Sequence, residues 1–136
     1  MQAVPGAFLG ACTMARPELA VQVKIIRWMR EAIPGAIIHH SVNEHSKRGK
    51  AGMLQAVRNK HAGMLGGFPD LIVLPAAEIG PFFLEVKAPK GRVSDAQKHV
   101  HHMLTGNGYP VAVVRSVEDV QAFLEASAIP FKDIPA

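Results

Sequence analysis

Apolar positions change their period several times along the chain, and the changes divide it into elements. Over residues 17–32, Leu19, Val23, Ile26 and Ala32 recur at helical spacing among Glu18, Lys24, Arg27, Arg30 and Glu31. This predicts an amphipathic helix with Pro17 in its first turn and Pro34-Gly35 closing it. Residues 36–42 read as a strand and 43–49 as a polar loop. A second helix is predicted over 52–65 from the spacing of Met53, Leu54, Val57, His61, Met64 and Leu65. Residues 71–74 and 82–86 are short apolar runs separated by Pro75, Gly80 and Pro81, which predicts two adjacent antiparallel strands. Ser94 is a natural N-cap for a helix running to about residue 105, closed by Gly106-Asn107-Gly108. The apolar run 109–115 is expected to be a central strand covered on both faces. Ser116 then opens a last helix with Val117, Val120, Phe123 and Leu124 inward, and 128–136, with two prolines, is expected to be a loose tail or a partner contact. The order of elements predicts an α/β sandwich with a central mixed sheet flanked by helices.

The two short strands carry the candidate chemistry. Side chains alternate along a strand, so Glu85 and Lys87 share one face and Val86 takes the other. Asp70 opens the neighbouring strand, which lets one carboxylate from each strand meet at a common point. Two converging carboxylates and the Val86 main-chain carbonyl form a hard-oxygen site for Mg²⁺ or Mn²⁺. A lysine beside such an ion would orient a water and stabilise charge developing on a phosphoryl group. The plainer reading is a solvated, salt-bridged strand face and a turn-opening Pro-Asp. Both carboxylates sit in strongly apolar runs, where unpaired charge is costly, and that favours the metal reading.

Length and charge narrow the picture. The 136 residues suffice for one domain, here 15–127, between an N-terminal tail, 1–14, and a C-terminal one, 128–136. A net charge of +4 admits nucleic acid as a partner. The bases are concentrated: Lys47, Arg48, Lys50, Arg58 and Lys60 fall in a stretch without acids, and Lys90 and Arg92 follow Lys87. These seven are candidate phosphate contacts, with a solvated basic surface as the alternative. No aromatic residue is interleaved with the first five, which argues against a platform for stacking single strands. A single cysteine, Cys12, excludes an intramolecular disulfide and suits a reducing compartment. No apolar run approaches the roughly 20 residues of a membrane span. Leu9-Gly10-Ala11-Cys12 is similar to a lipoprotein cleavage box, but no base precedes it, and Met14 offers an alternative start. His99 and His102 share a helix face, yet no second Cys or His cluster completes a zinc site.

Gly67-Phe68-Pro69-Asp70, Glu85-Val86-Lys87, Ser94-Asp95-Ala96-Gln97 and the strand after Gly108-Tyr109-Pro110 together resemble the VRR-Nuc family of the PD-(D/E)xK nuclease superfamily. Glu18 and Gln22 on the first helix, and Asn43-Glu44, add weaker matches. The resemblance implies a restriction-endonuclease-like fold. It implies Asp70, Glu85 and the Val86 carbonyl as metal ligands, Lys87 as the catalytic lysine and Gln97 as a helix-borne support. Glu18 would be a further metal-shell or water-ordering carboxylate; on its own it reads as a first-turn acid complementing the helix dipole. Short stand-alone members resemble Holliday-junction resolvases of phages and bacteria. They imply a Mg²⁺- or Mn²⁺-dependent endodeoxyribonuclease acting on branched DNA as a homodimer, in the cytoplasm of a bacterial or phage-infected cell. The rivals are a restriction- or repair-type nuclease with another DNA substrate, and a non-catalytic nucleic-acid-binding module.

Overall fold

The computed structural model describes residues 16–42 and 49–136. The expectations for the tail 1–14, Cys12, Met14, Asn43-Glu44, Lys47 and Arg48 lie outside the described residues. Eight elements follow one another: α1 (Pro17–Ala32), β1 (Ile37–His40), α2 (Gly49–His61), β2 (Leu71–Leu74), β3 (Phe82–Val86), α3 (Asp95–Gly106), β4 (Val111–Val114) and α4 (Val117–Ala126). The strands form one mixed sheet in the order β1-β2-β3-β4. β2 pairs antiparallel with both β1 and β3, and β3 pairs parallel with β4 across the α3 connection.

One face of the sheet carries the main core. Leu71, Val73, Phe82, Leu84, Val86 and Val114 pack there against Ile25, Trp28, Met29 and Ala32 of α1 and Val120 and Leu124 of α4. The buried stripe of α1 is therefore turned from the predicted one. Trp28 and Met29 bury the most surface and set the phase, leaving Leu19, Val23 and Ile26 half-buried at its margin. On the opposite face of the sheet α3 packs over β4, and alternation sends Phe83 and Glu85 to that side.

Three further expectations are corrected. β4 is covered by helices on both faces, as its apolar run requires, but it stands at the sheet's edge. The central strand buried along its whole length is β3. Double coverage by α3 and α4 produces the same apolar signature at an edge as in the middle. α2 runs from Gly49 to His61, so it begins three and ends four residues earlier than its periodicity indicates, and the chain leaves it through Gly63 at φ +102°. Its apolar residues Met53, Leu54 and Val57 remain exposed, Met53 at 71%, so spacing there reports helix without burial. Finally, the segment after α4 is not loose. Ile129 is buried, Phe131 and Ile134 pack on the core, and Trp28 Nε1 donates to the Ile134 carbonyl at 2.8 Å. Lys132 N–H also donates to the Ala32 carbonyl at 2.7 Å, which ties this segment to the end of α1.

Candidate active site

The register of β2 and β3 fixes the first pair. Leu71 lies opposite Leu84, so in an antiparallel ladder the preceding Asp70 lies opposite Glu85. Asp70 Oδ2 accepts a hydrogen bond from Val86 N–H at 2.8 Å, which fastens its carboxylate to the neighbouring strand. The Asp70 carbonyl accepts from Ser41 N–H at 2.7 Å, tying in the end of β1.

Glu85 is 1% exposed. Each of its carboxyl oxygens has a partner from α3: Gln97 Nε2 donates to Oε2 at 3.0 Å, and His101 Nε2 lies 3.2 Å from Oε1. The first partner is oriented by the helix start. Ser94 Oγ accepts from Gln97 N–H at 3.1 Å while Gln97 Oε1 accepts from Ser94 N–H at 2.8 Å, a complete capping box. With its oxygen engaged at the cap, the Gln97 amide points its NH₂ at Glu85. The approach of α3 depends on Gly67, whose φ is +86° and at which a Cβ would stand 2.5 Å from the Ala96 carbonyl carbon and oxygen. Only glycine lets the turn before Asp70 pass beneath the first turn of α3.

Lys87 is 8% exposed and lies on the same side, with Nζ 4.0 Å from Glu85 Oε2 and 3.9 Å from Glu18 Oε2. Glu18 thus faces the lysine across the mouth of the site. The loop after Lys87 is braced from β4's end: Arg115 donates to the carbonyls of Ala88 and Gly91 at 2.6 and 2.8 Å. Glu18, Asp70, Glu85, Lys87 and Gln97 line a cleft of about 740 Å³ that also takes in Arg16, Gln22, His40, Ser41 and Phe68.

The electrostatics are those of two acids held together. Burial, then the hydrogen bond to Asp70 and its charge, push the Glu85 carboxyl up to about 9, with Lys87 opposing and Glu18 adding to the rise. Glu85 therefore keeps its proton at neutral pH. Burial holds His101 below the ordinary histidine range, against a contribution from Asp70 in the other direction. Among the described residues no three His, Cys, Asp or Glu side chains gather as a metal cluster; a cation here would rest on the Asp70 and Glu85 carboxylates with a main-chain oxygen such as that of Val86.

Asp70, Glu85, Val86, Lys87, Gln97 and Glu18 all line this one cleft. Of the candidate phosphate contacts, Lys90 and Arg92 are exposed and flank Gly91 at its rim. Lys50, Arg58 and Lys60 are exposed on α2 and do not line it. Sequence reasoning missed His101 and Arg115. Gln97 and His101 stand one helical turn apart, and that spacing was the available signal for the histidine.

An acid at the start of one central strand, an acid and a lysine two apart on the next, and a glutamine from the following helix make this a nuclease-type domain of the PD-(D/E)xK class. The family model for the VRR-NUC domain matches residues 15–118, and the chain belongs to that family. A solved structure described as a VRR_NUC domain protein superposes with a TM-score of 0.60 over 81% of this chain and 86% of that one, at 23% identity, which shows a shared fold. No curated protein matches the chain.

Proposed function

We propose that the protein is a Mg²⁺- or Mn²⁺-dependent DNA endonuclease that acts on Holliday junctions or other branched DNA. The observation that carries the reading is the pairing of Asp70 with Glu85 at the floor of the cleft, beside Lys87. The donor set fits a hard divalent cation: the buried Glu85 carboxyl is raised by burial and by the neighbouring Asp70, and a cation placed between the two would relieve that repulsion. A bound Mg²⁺ or Mn²⁺ supplies Lewis-acid stabilisation of phosphoryl charge and a water acidic enough to attack.

The chain's own residues do the rest. Asp70 is held by Val86 N–H, and Glu85 by two side chains of α3, so both carboxylates are positioned before substrate arrives. Lys87, whose ion pairs are both at the limit of contact, has donors to offer a phosphoryl oxygen or the attacking water. Glu18 restrains that lysine from the opposite wall. Lys90 and Arg92 supply positive charge at the rim, and Lys50, Arg58 and Lys60 are further exposed bases, on α2.

Incising a two-fold symmetric junction requires two cuts, which a homodimer supplies most simply. What supports a dimer is apolar surface that the fold leaves open. It lies on α2, at Met53, Leu54 and Val57, and at the paired residues Ile37 and Leu74 of β1 and β2, rather than on the first or last helix.

The test is cleavage of a supercoiled plasmid bearing an extruded cruciform, beside a linear duplex and a flap, with Mg²⁺, Mn²⁺ or EDTA and with Lys87→Ala as control. Paired cuts at the cruciform that disappear with EDTA and with the variant are expected. Equal cutting of the linear duplex would refute selectivity for branched DNA. DNA binding without cleavage in either metal would refute the nuclease reading in favour of a binding module.

A further inference from the structure

The Glu85 carboxylate is also gripped from outside the cleft. Gln97 lines the cleft, whereas His101 does not. The imidazole instead borders a shallow groove of about 420 Å³ on the far side of α3, with Lys98, His102 and Thr105 beside it and β4 beneath. From there Nε2 passes through the helix–sheet interface to Glu85 Oε1 at 3.2 Å. Gln97 and His101 are four residues apart on one face of α3, and they take one oxygen each. Val100, buried between them, fixes the rotation of the helix that makes this possible.

We propose that His101 is a positioning residue of the site: its Nε2–H fixes Oε1 of Glu85 as Gln97 fixes Oε2, so that the carboxylate cannot rotate away from Asp70. The inference rests on the reading of Asp70 and Glu85 as a cation site. An ionised carboxylate only accepts hydrogen bonds, so with Glu85 ionised the imidazole must be the donor. Hydrogen bonds of this kind behind a ligating carboxylate set its orientation, and their loss ordinarily weakens metal affinity by about 10- to 100-fold. His101 is not among the residues lining the cleft, so its effect passes through Glu85.

The experiment is a Mn²⁺ titration without DNA, followed by calorimetry or by the electron paramagnetic resonance of free Mn²⁺. It compares the wild type with His101→Met, which keeps bulk without a comparable donor, and with His101→Gln, whose Nε2 can replace that of the ring. Melting temperatures are recorded alongside. The expected result is affinity about 10- to 100-fold weaker in the Met variant and largely restored in the Gln variant, which also shows that the donor rather than a charge is needed. His101→Ala serves the same comparison if the Met variant does not fold. Wild-type affinity in the Met or Ala variant would overturn the positioning role while leaving the cation site intact. Equal weakening in the Met and Gln variants would overturn it too, by assigning the ring to packing. A wild type that binds no Mn²⁺ would overturn the cation site and His101's role with it.

Discussion

Glu85 concentrates the cost of the site. Its carboxyl is buried against Asp70 and pushed up to about 9 from an ordinary value of 4.5. The folded state therefore holds a proton that the unfolded chain releases above about 4.5. Stability contributed by this group is complete below that pH and is lost as pH rises toward 9. In EDTA the melting temperature should fall over that window, and Glu85→Gln, which cannot ionise, should flatten the decline; parallel profiles for the two proteins would contradict this. Asp70 needs a different substitution. Asp70→Ala would orphan the buried Val86 N–H, at a cost of about 1–3 kcal/mol, whereas Asp70→Asn keeps an acceptor and removes the charge. The Asn variant should melt close to the wild type yet lose cleavage, and recovery of wild-type rates would argue against Asp70 as a ligand. The convergence of Asp70, Glu85 and Lys87 was legible because strand parity is strict and both acids interrupt apolar runs. His101 was not, because three histidines within four residues leave the helix phase open until Val100 is seen to be buried.

At the scale of elements, one glycine and one cap join the two halves of the site. Gly67 lets the turn before β2 slide under α3, and the Ser94–Gln97 box starts that helix where its side chains reach β3. Gly67→Ala combines an unfavourable positive φ with a backbone clash and should destabilise the fold by about 2 kcal/mol or more, read as a shifted denaturation midpoint. An unchanged midpoint would mean that the turn can retreat from α3 at little cost. The cap was legible from Ser94 and the closing glycines, but the close approach at Gly67 pairs elements distant in sequence and leaves no local pattern. The same limit explains β4. Its composition reports cover on both faces, which α3 and α4 provide, and carries no information on whether another strand lies beyond it. The loop after Lys87 is held just as firmly. Arg115 holds its carbonyls, so Lys90 and Arg92 are presented from a braced turn. Charge reversal at both should weaken DNA binding and reduce the salt slope by about 1 for each phosphate that is no longer neutralised. An unchanged slope would remove the loop from the interface.

For the whole molecule, the C-terminal segment carries the core beyond the stretch that matches the family. The family match ends at residue 118, yet Ile129, Phe131 and Ile134 extend the core over Trp28. Deleting 129–136 should cost on the order of 3 kcal/mol, because it uncovers the indole and leaves Nε1 without its acceptor. A deletion that melts like the full chain would contradict that packing. Two prolines and a terminal position look like a tail in sequence; only the distant Trp28 reveals why the segment is ordered against α1. Metal-dependent cleavage at this site is tested most directly by single-turnover cutting of a synthetic four-way junction in Mn²⁺, with the wild type, Lys87→Ala and Glu85→Gln at matched folding. Cleavage by the wild type that is abolished by EDTA and falls by about 10²- to 10³-fold or more in both variants is the predicted result. Wild-type rates in either variant, or cutting that persists in EDTA, would contradict metal-dependent cleavage by Glu85 and Lys87.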